Sequence, residues 1–196
     1  MRFIQLASYM AMVAITATTS FVADTQAISF VGCSATQQND INTAAANAQR
    51  YAADASRYLN SHTSATPRYT TWFGTYTASR HNTVRDHFNK ISGNHFSSYT
   101  YDCSTCHKPK LMVDAHPSKK DEVRLCPDFW HSPATGTDSK AGTIIHAASL
   151  FTANGGTKQH KFGQSDCNNL AKSNPDEAIR NADSYRYFAE NTPPLA

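Results

Sequence analysis

One long amphipathic segment constrains the fold of this chain more than any other feature. Residues 35–61 contain neither glycine nor proline, and their apolar side chains recur at the three- and four-residue spacing of one helix face. The apolar positions are Ile41, Ala44, Ala45, Ala48, Ala52, Ala55 and Leu59. Ser34 precedes the segment and is a favoured N-cap residue, because its hydroxyl can accept a hydrogen bond from a free N–H of the first turn. The pattern therefore predicts a single long helix with an alanine-rich apolar face.

The rest of the chain predicts several shorter elements. Thr66-Pro67 ends the first pattern, and a second helical region extends to about Gly93. Its candidate core residues are Trp72, Phe73, Tyr76, Val84 and Phe88. Short β-like segments follow at 97–102, 110–114 and 122–126. A helix is expected from its cap Asp138 to about Thr152, Asn174-Pro175 starts another, and two short helices finish the chain. This order favours an α+β, mainly helical domain with a small antiparallel sheet.

The first 27 residues have the features of a signal peptide. Arg2 gives a positive start, an apolar run covers residues 3–22, and small residues lead to a cleavage point at Ala27, with Ala23 as the alternative. The most apolar part, residues 10–17, is too short to span a bilayer, so a transmembrane anchor is the weaker interpretation. We expect residues 1–27 to be removed, residues 28–196 to form one domain, and the protein to be secreted into the extracellular space.

The charge pattern argues against a nucleic-acid partner. The formal net charge is +3, and removal of residues 1–27 does not change it, because they hold one basic residue, Arg2, and one acidic residue, Asp24. The basic residues are scattered, whereas nucleic-acid binding favours a dense basic face. No other stretch is long and apolar enough to cross a membrane. We therefore expect neither a nucleic acid nor, after signal cleavage, a membrane as partner.

Two segments, 142–151 (GTIIHAASLF) and 156–163 (GTKQHKFG), have the spacing of a metalloprotease motif. They resemble the deuterolysin family (the aspzincins), and most closely its fungal peptidyl-Lys metalloendopeptidases. In that family a helix carries His-Glu-x-x-His, and a downstream Gly-Thr-x-Asp-x-x-Tyr-Gly segment supplies the third zinc ligand. The resemblance also covers residues 65–74, 125–130, 135–139, 154–158, 181–183 and 187–191. It implies a zincin-like metalloprotease fold with two disulfides.

Four positions depart from the family motif. In active members, two histidines on one helix face hold a zinc ion, and the glutamate takes a proton from zinc-bound water. Here His146 occupies the first ligand position, but Leu150 and Gln159 stand where the other two ligands belong. Ala147 replaces the general base, and Phe162 replaces a tyrosine that stabilises the oxyanion in the family. We therefore expect no catalytic residue, no bound metal and no cofactor at this degenerate site, although active family members use zinc.

The pocket that the resemblance assigns to the substrate lysine is also changed. An acidic pair is expected there, but the two positions hold Asp183 and Arg186. Residues three apart on a helix are neighbours, so Arg186 is expected to pair with Asp183 and to oppose a lysine side chain. The alternative is an exposed ion pair that contributes little to stability. Either interpretation argues against selectivity for lysine.

Five cysteines are present, so an even set of disulfides leaves one thiol over. The resemblance implies the disulfides Cys33–Cys103 and Cys106–Cys126, and leaves Cys167 unpaired, as a buried thiol or as a link between two chains. Residues 103–107 (CSTCH) also match the Cys-x-x-Cys-His pattern of covalent haem attachment. Haem is the weaker alternative, because the surrounding chain is not cytochrome-like.

The remaining histidines and aromatic residues have structural interpretations. His146 and His160, with Asp183, could hold a metal ion weakly, but a leftover histidine held by hydrogen bonds is the favoured interpretation. The other histidines show no ligand spacing and are expected to be surface or structural: His62, His81, His87, His95, His107, His116 and His131. An aromatic set is predicted to be core rather than a carbohydrate platform: Tyr69, Trp72, Phe73, Phe129 and Trp130.

These observations predict a secreted, catalytically inactive homologue of a zinc metalloendopeptidase, a pseudoprotease. It is expected to use the old substrate cleft to bind an unknown protein or peptide. The alternative is an active metalloendopeptidase with a rearranged metal site, and metal content separates the two. A structural or storage protein is the third class, and it would have no specific ligand.

Overall fold

The computed structural model describes residues 27–196, so the predicted signal peptide lies outside the described residues except for Ala27. This part contains seven α-helices: α1 (Ala35–Ser61), α2 (Pro67–Phe73), α3 (Ala78–Ser92), α4 (Lys140–Leu150), α5 (Gly163–Ser173), α6 (Pro175–Ala178) and α7 (Ala182–Glu190). It also contains four strands: β1 (Ser29–Val31), β2 (Thr100–Asp102), β3 (Val113–Asp114) and β4 (Glu122–Leu125). Two 3₁₀ helices are formed by Phe96–Ser98 and Pro127–His131. The predicted α+β, mainly helical class is confirmed.

The long helix predicted from the alanine pattern is α1, with the predicted bounds. The Ser34 hydroxyl accepts a hydrogen bond from the Gln37 backbone N–H over 3.3 Å, and the Gln37 side chain accepts one from the Ser34 N–H over 2.9 Å. This reciprocal pair satisfies two backbone donors at the helix start. All the predicted apolar positions of α1 are buried. Because most of them are alanines, α3 and α4 can pack closely against this face.

The second predicted helical region is two helices, because Gly74 ends α2. Gly74 has a φ of 77°, and a Cβ at this position would lie 2.0 Å from the Ala171 carbonyl oxygen. Only glycine tolerates both the positive φ and the close approach. The chain then starts α3 behind Thr77, whose hydroxyl accepts a hydrogen bond from the Arg80 N–H over 3.2 Å.

The later helices also differ from the prediction. Ser139, not Asp138, caps α4, because the Ser139 hydroxyl accepts a hydrogen bond from the Gly142 N–H over 2.9 Å. Asp138 has a φ of 54° and accepts a hydrogen bond from the Tyr187 hydroxyl over 2.7 Å instead. The helix α5 was not predicted, because its few buried positions are diluted by polar residues.

The sheet is mixed, and the predicted antiparallel arrangement was wrong for two of its three strand pairs. The strand order is β1-β2-β4-β3, with β1–β2 and β2–β4 parallel and only β3–β4 antiparallel. Three helices lie between β1 and β2, and such a crossover returns the chain in the same direction. A short connection joins β3 to β4 and reverses the chain. The strand β1 has only three residues and was missed in the sequence.

Two disulfides tie the sheet to the start of α1 and to the loop after β2. Cys33 is bonded to Cys103, and Cys106 is bonded to Cys126, as the resemblance implies. The haem alternative is excluded, because both cysteines of residues 103–107 are engaged in these bonds. Cys167 is a buried thiol. No helix in residues 27–196 is long and apolar enough to cross a membrane.

The helix α4 lies at the centre of the core and positions the predicted site. Every residue from Lys140 to Leu150 is buried, with α1 on one side and α7 on another. The predicted aromatic core is present nearby: Tyr69, Trp72, Phe73 and Phe129 are buried, and Trp130 packs against the core. The side chains of α4 and α7 therefore meet in a region that is shielded from water.

Candidate functional site

His146 is held from both sides by hydrogen bonds. It lies on α4, only 4% exposed. Its Nδ1 is 2.6 Å from Oδ1 of Asp183 on α7, and its Nε2 is 3.2 Å from Nε2 of Gln159, in the loop that follows α4. The structure thus joins His146 and Gln159, two residues of the degenerate metal site, to Asp183, which the resemblance placed in the former lysine pocket.

The partners of His146 determine which ring nitrogen carries the proton. An ionised carboxylate only accepts, so Nδ1 of His146 donates to Asp183. The lone pair of Nε2 then accepts a hydrogen bond from the Gln159 amide. This Nε2 lone pair is the group that an imidazole offers to a metal, and here an N–H donor occupies it.

Asp183 is fully engaged. Its Oδ1 accepts from His146, and its Oδ2 accepts from the Gly163 backbone N–H over 3.0 Å. Burial alone would raise the pKa of Asp183, but its interactions with His146, Arg186 and a backbone N–H outweigh burial and hold that pKa below its usual value. The carboxylate is therefore ionised at neutral pH.

The residues that correspond to the family's zinc site do not fit zinc. Zinc sites in proteins use at least three nitrogen, sulfur or carboxylate ligands. Leu150 offers only hydrocarbon, and Gln159 offers a neutral amide that is hydrogen-bonded to His146. Within residues 27–196, no three His, Cys, Asp or Glu side chains come together as a metal site. Ala147, at the position of the general base, belongs to the hydrophobic core and has no exposed surface.

A cavity of about 220 Å³ opens beside His146. Its wall combines apolar side chains from the segment before β3 with charged side chains from several parts of the chain. The charged residues are Lys110, Asp128, Asp138, Asp183 and Arg186. Phe162 lines it as well and is 52% exposed, although most aromatic residues of the described chain are buried. The phenyl ring has no hydroxyl, so it cannot donate a hydrogen bond to a ligand in this cavity.

Arg186 lines the same cavity, with partners that differ from the predicted one. Its Nη2 lies 3.0 Å from Oδ1 of Asp138, and its Nε lies 3.3 Å from Oε1 of Glu190. The prediction of a direct ion pair between Arg186 and Asp183 was wrong, because the Asp183 carboxylate is hydrogen-bonded to His146 instead. The alternative of an exposed surface pair was also wrong, because Asp183 and Arg186 are both buried. The acidic residues around Arg186 outweigh the effect of its burial and raise its pKa.

Glu190 is the anchor that holds this arginine, and sequence reasoning did not assign it to the site. Its Oε1 accepts from the backbone N–H and the hydroxyl of Ser139, each over 2.9 Å, and its Oε2 accepts from the Asp138 N–H over 3.2 Å. Burial raises the pKa of Glu190 despite these partners. The four-residue spacing between Arg186 and Glu190 on α7 is the signal that could have identified the pair.

His160 does not join His146 in a shared metal site. Its Nδ1 lies 2.8 Å from Oε1 of Glu177, and it lines a separate surface groove together with His87. Among the described residues, His146 is the only histidine in the wall of the cavity. The weak two-imidazole site considered from the sequence is therefore not formed.

The fold is similar to that of a solved zinc peptidase. The structure matches that of a "zinc peptidase from Grifola frondosa" with a TM-score of 0.82 and 48% sequence identity, over 84% of this chain and 100% of that chain. Residues 58–190 match the family described as "Lysine-specific metallo-endopeptidase". The chain belongs to this family, the aspzincins, and the zincin-like fold expected from the resemblance is confirmed.

Two relatives extend the comparison. The chain is 58% identical over 167 residues to a "Peptidyl-Lys metalloendopeptidase" of Pleurotus ostreatus, and the alignment covers 85% of this chain and 99% of the relative. It is 40% identical over 178 residues to an "Extracellular protease" of Aeromonas hydrophila, with 88% of this chain covered but only 51% of that relative. The chain thus spans one relative almost completely and the other by about half.

Proposed function

We propose that this protein is a secreted, catalytically inactive homologue of the zinc metalloendopeptidases, which binds a protein or peptide in the former substrate cleft. The observation that carries the proposal is the contact between His146 and Gln159. The one remaining ligand nitrogen, Nε2 of His146, lies 3.2 Å from the amide nitrogen of Gln159, within hydrogen-bond distance. The other two ligand positions supply no imidazole or carboxylate.

The groups that would perform the reaction are also absent from their positions. Peptide hydrolysis in this class needs a base to take a proton from the attacking water, and such a base contributes roughly 10²–10⁴-fold in rate. Ala147 has no atom that can accept a proton. Phe162 supplies no hydroxyl to stabilise an oxyanion. Each substitution alone would slow the reaction, and together they support the proposal of a pseudoprotease.

A retained binding role is supported by the shape of the cleft. The cavity beside His146 is accessible, and the half-exposed phenyl ring of Phe162 lies at its wall. Exposed aromatic side chains next to a cavity are common features of binding sites. Secretion is supported by the signal-like segment 1–27, by the two disulfides and by the name of the Aeromonas relative.

The alternative function, an active metalloendopeptidase, is favoured by one observation. The chain is 58% identical to the Pleurotus relative that carries this name. An active enzyme would contain about one tightly bound metal per chain, and a chelator would abolish its cleavage of lysyl peptides. Metal content therefore discriminates between the two functions.

We expect elemental analysis of the purified protein to find no stoichiometric zinc. Replacement of the two missing ligands, by Leu150→His and Gln159→Asp, should restore about one zinc per chain, because His146 then has two partners of the right chemistry. Addition of Ala147→Glu to these two changes supplies the base and is expected to give weak cleavage. This third change also places a carboxylate in the core, so the free energy of unfolding should be measured alongside.

The double variant without the base is the matched control. It should bind zinc and still fail to cleave lysyl peptides. One zinc per chain in the unaltered protein, or chelator-sensitive cleavage by it, would contradict the proposed function.

A further inference from the structure

We propose that the cavity beside Arg186 binds a neutral amide side chain of a peptide, with glutamine as the best natural match, instead of a lysine. This inference rests on the proposed function, because it assigns the ligand of the same cleft. Three properties of the cavity carry it: a donor without a partner, buried acceptors that already have partners, and carboxylates that disfavour an anionic ligand.

The unsatisfied donor is Nη2 of Arg186. The arginine side chain is only 7% exposed, and Nη2 is buried with no hydrogen-bond partner among residues 27–196. It lies 3.0 Å from Oδ1 of Asp138, but its N–H groups are not aligned with that oxygen, so the contact is an ion pair without a hydrogen bond. A buried donor without an acceptor is unfavourable, because it has lost its hydrogen bonds to water and gained none in the protein. A ligand oxygen would remove this penalty.

The buried acceptors around the cavity have their partners already. Both oxygens of Asp183 accept hydrogen bonds, from His146 and from the Gly163 N–H. Both oxygens of Glu190 also accept, from the Ser139 and Asp138 backbones. A lysine ammonium brings three donors and no acceptor, so it cannot accept a hydrogen bond from Nη2 of Arg186, and these two buried carboxylates offer it no free oxygen.

The charged groups of the cavity act differently on the two kinds of ion. Arg186 repels an ammonium group that comes close to its guanidinium, whereas the carboxylates of the wall, Asp128, Asp138 and Asp183, attract one. A carboxylate would meet Asp138 and Glu190, which already contact the guanidinium, and Asp183 is near enough to affect it electrostatically. A neutral group avoids both penalties.

An amide matches the remaining hydrogen-bonding groups. Its oxygen can accept from Nη2 of Arg186. Its N–H₂ group can donate to Oδ2 of Asp138. The other oxygen of this carboxylate, Oδ1, already contacts Tyr187 and Arg186. The Asp138 side chain is 60% exposed, so a ligand can reach it. The methylene groups of a glutamine side chain would contact the apolar part of the wall, which includes Leu111, Met112 and Phe162.

Fluorescence anisotropy with four labelled peptides tests the inference on the secreted chain. The peptides share the sequence Ala-Ala-X-Ala-Ala, with blocked ends and X as Gln, Glu, Lys or Leu. We expect the Gln peptide to bind at least about tenfold more tightly than the other three, the size expected for one hydrogen bond to a charged group. Equal or tighter binding of the Lys, Glu or Leu peptide would overturn this inference while leaving the cleft as a peptide site.

Variants of two residues, Arg186 and Phe162, test whether the preference comes from the cavity. Arg186→Met should bring the Gln peptide to within about twofold of the Leu peptide, since the charge-assisted hydrogen bond is lost. If this variant does not fold, Arg186→Lys keeps a cation near Glu190 and should also reduce the preference, because the planar fork is lost. Phe162→Ala alters an exposed ring and should weaken all four peptides to a similar degree.

The outcomes separate this inference from the proposed function. A preference for Gln that survives in a folded Arg186 variant would overturn the assigned role of the guanidinium. Absence of saturable binding by all four peptides would overturn the proposed cleft function, and this inference with it.

Discussion

Truncation of Glu190 to alanine is expected to lower the free energy of unfolding by about 3–5 kcal/mol, the range for removing one member of a buried ion pair. The Glu190 side chain has no exposed surface. Its loss leaves the backbone N–H groups of Asp138 and Ser139 without their acceptor, and it removes a partner of the Arg186 guanidinium. Urea unfolding followed by the fluorescence of the two tryptophans measures the change.

Two further variants test whether the loss of stability comes from the contacts of the Glu190 carboxylate. A Cβ on Gly142 would lie 2.0 Å from Oε1 of Glu190, so Gly142→Ala should displace the same carboxylate and cost about 1–3 kcal/mol. Glu177→Ala removes a partly exposed carboxylate that pairs with His160, and it should cost about 1 kcal/mol or less. If Glu190→Ala costs no more than Glu177→Ala, Glu190 is not the anchor that its contacts indicate.

Removal of the Cys33–Cys103 disulfide should destabilise the domain by about 4 kcal/mol, against about 3 kcal/mol for Cys106–Cys126. The two bonds join cysteines that are 70 and 20 residues apart, and the longer loop restricts the unfolded chain more. The first bond also fixes the end of β1 beside β2. Its loss should therefore speed amide exchange in β1, which has only three residues to hold it in the sheet.

The comparison uses paired cysteine-to-alanine replacements in a background that carries Cys167→Ala. That background contains no free thiol to exchange with the remaining disulfide. Equilibrium unfolding then compares the two double replacements directly. A larger loss for the Cys106–Cys126 pair would show that native-state contacts, rather than loop length, determine the stabilisation.

The elements that could be predicted from the sequence are those with a strong local signal. The bounds of α1 follow from an unbroken apolar pattern and the Ser34 cap, and the structure reproduces them. Parallel pairing of β1 with β2 had no such signal, because three residues are too few for a pattern and their partners lie about 70 residues away. The split between α2 and α3 depends on contact of Gly74 with α5, which is a tertiary effect.

The sequence predicted which residues form the site, but it did not predict the contacts that they make. The family resemblance placed His146 and Gln159 at ligand positions and Asp183 in the lysine pocket, and the structure joins the three by hydrogen bonds. The partners of Arg186 were missed. Asp138 looked like a helix cap in the sequence, and only the positive φ at that position turns its carboxylate towards α7. Backbone conformation in a loop decides this arrangement, and residue spacing does not encode it.

The complete burial of α4 has a consequence for how the molecule withstands heat. A metalloprotease that carries its metal ligands on such a helix gains part of its folding stability from the ion, since a bound metal favours the folded state. Here Ala147 and Leu150 place hydrocarbon on the same helix, in apolar surroundings that suit it. The melting temperature should therefore be the same with and without a chelator, because side-chain packing, and not a bound ion, is expected to stabilise the folded domain.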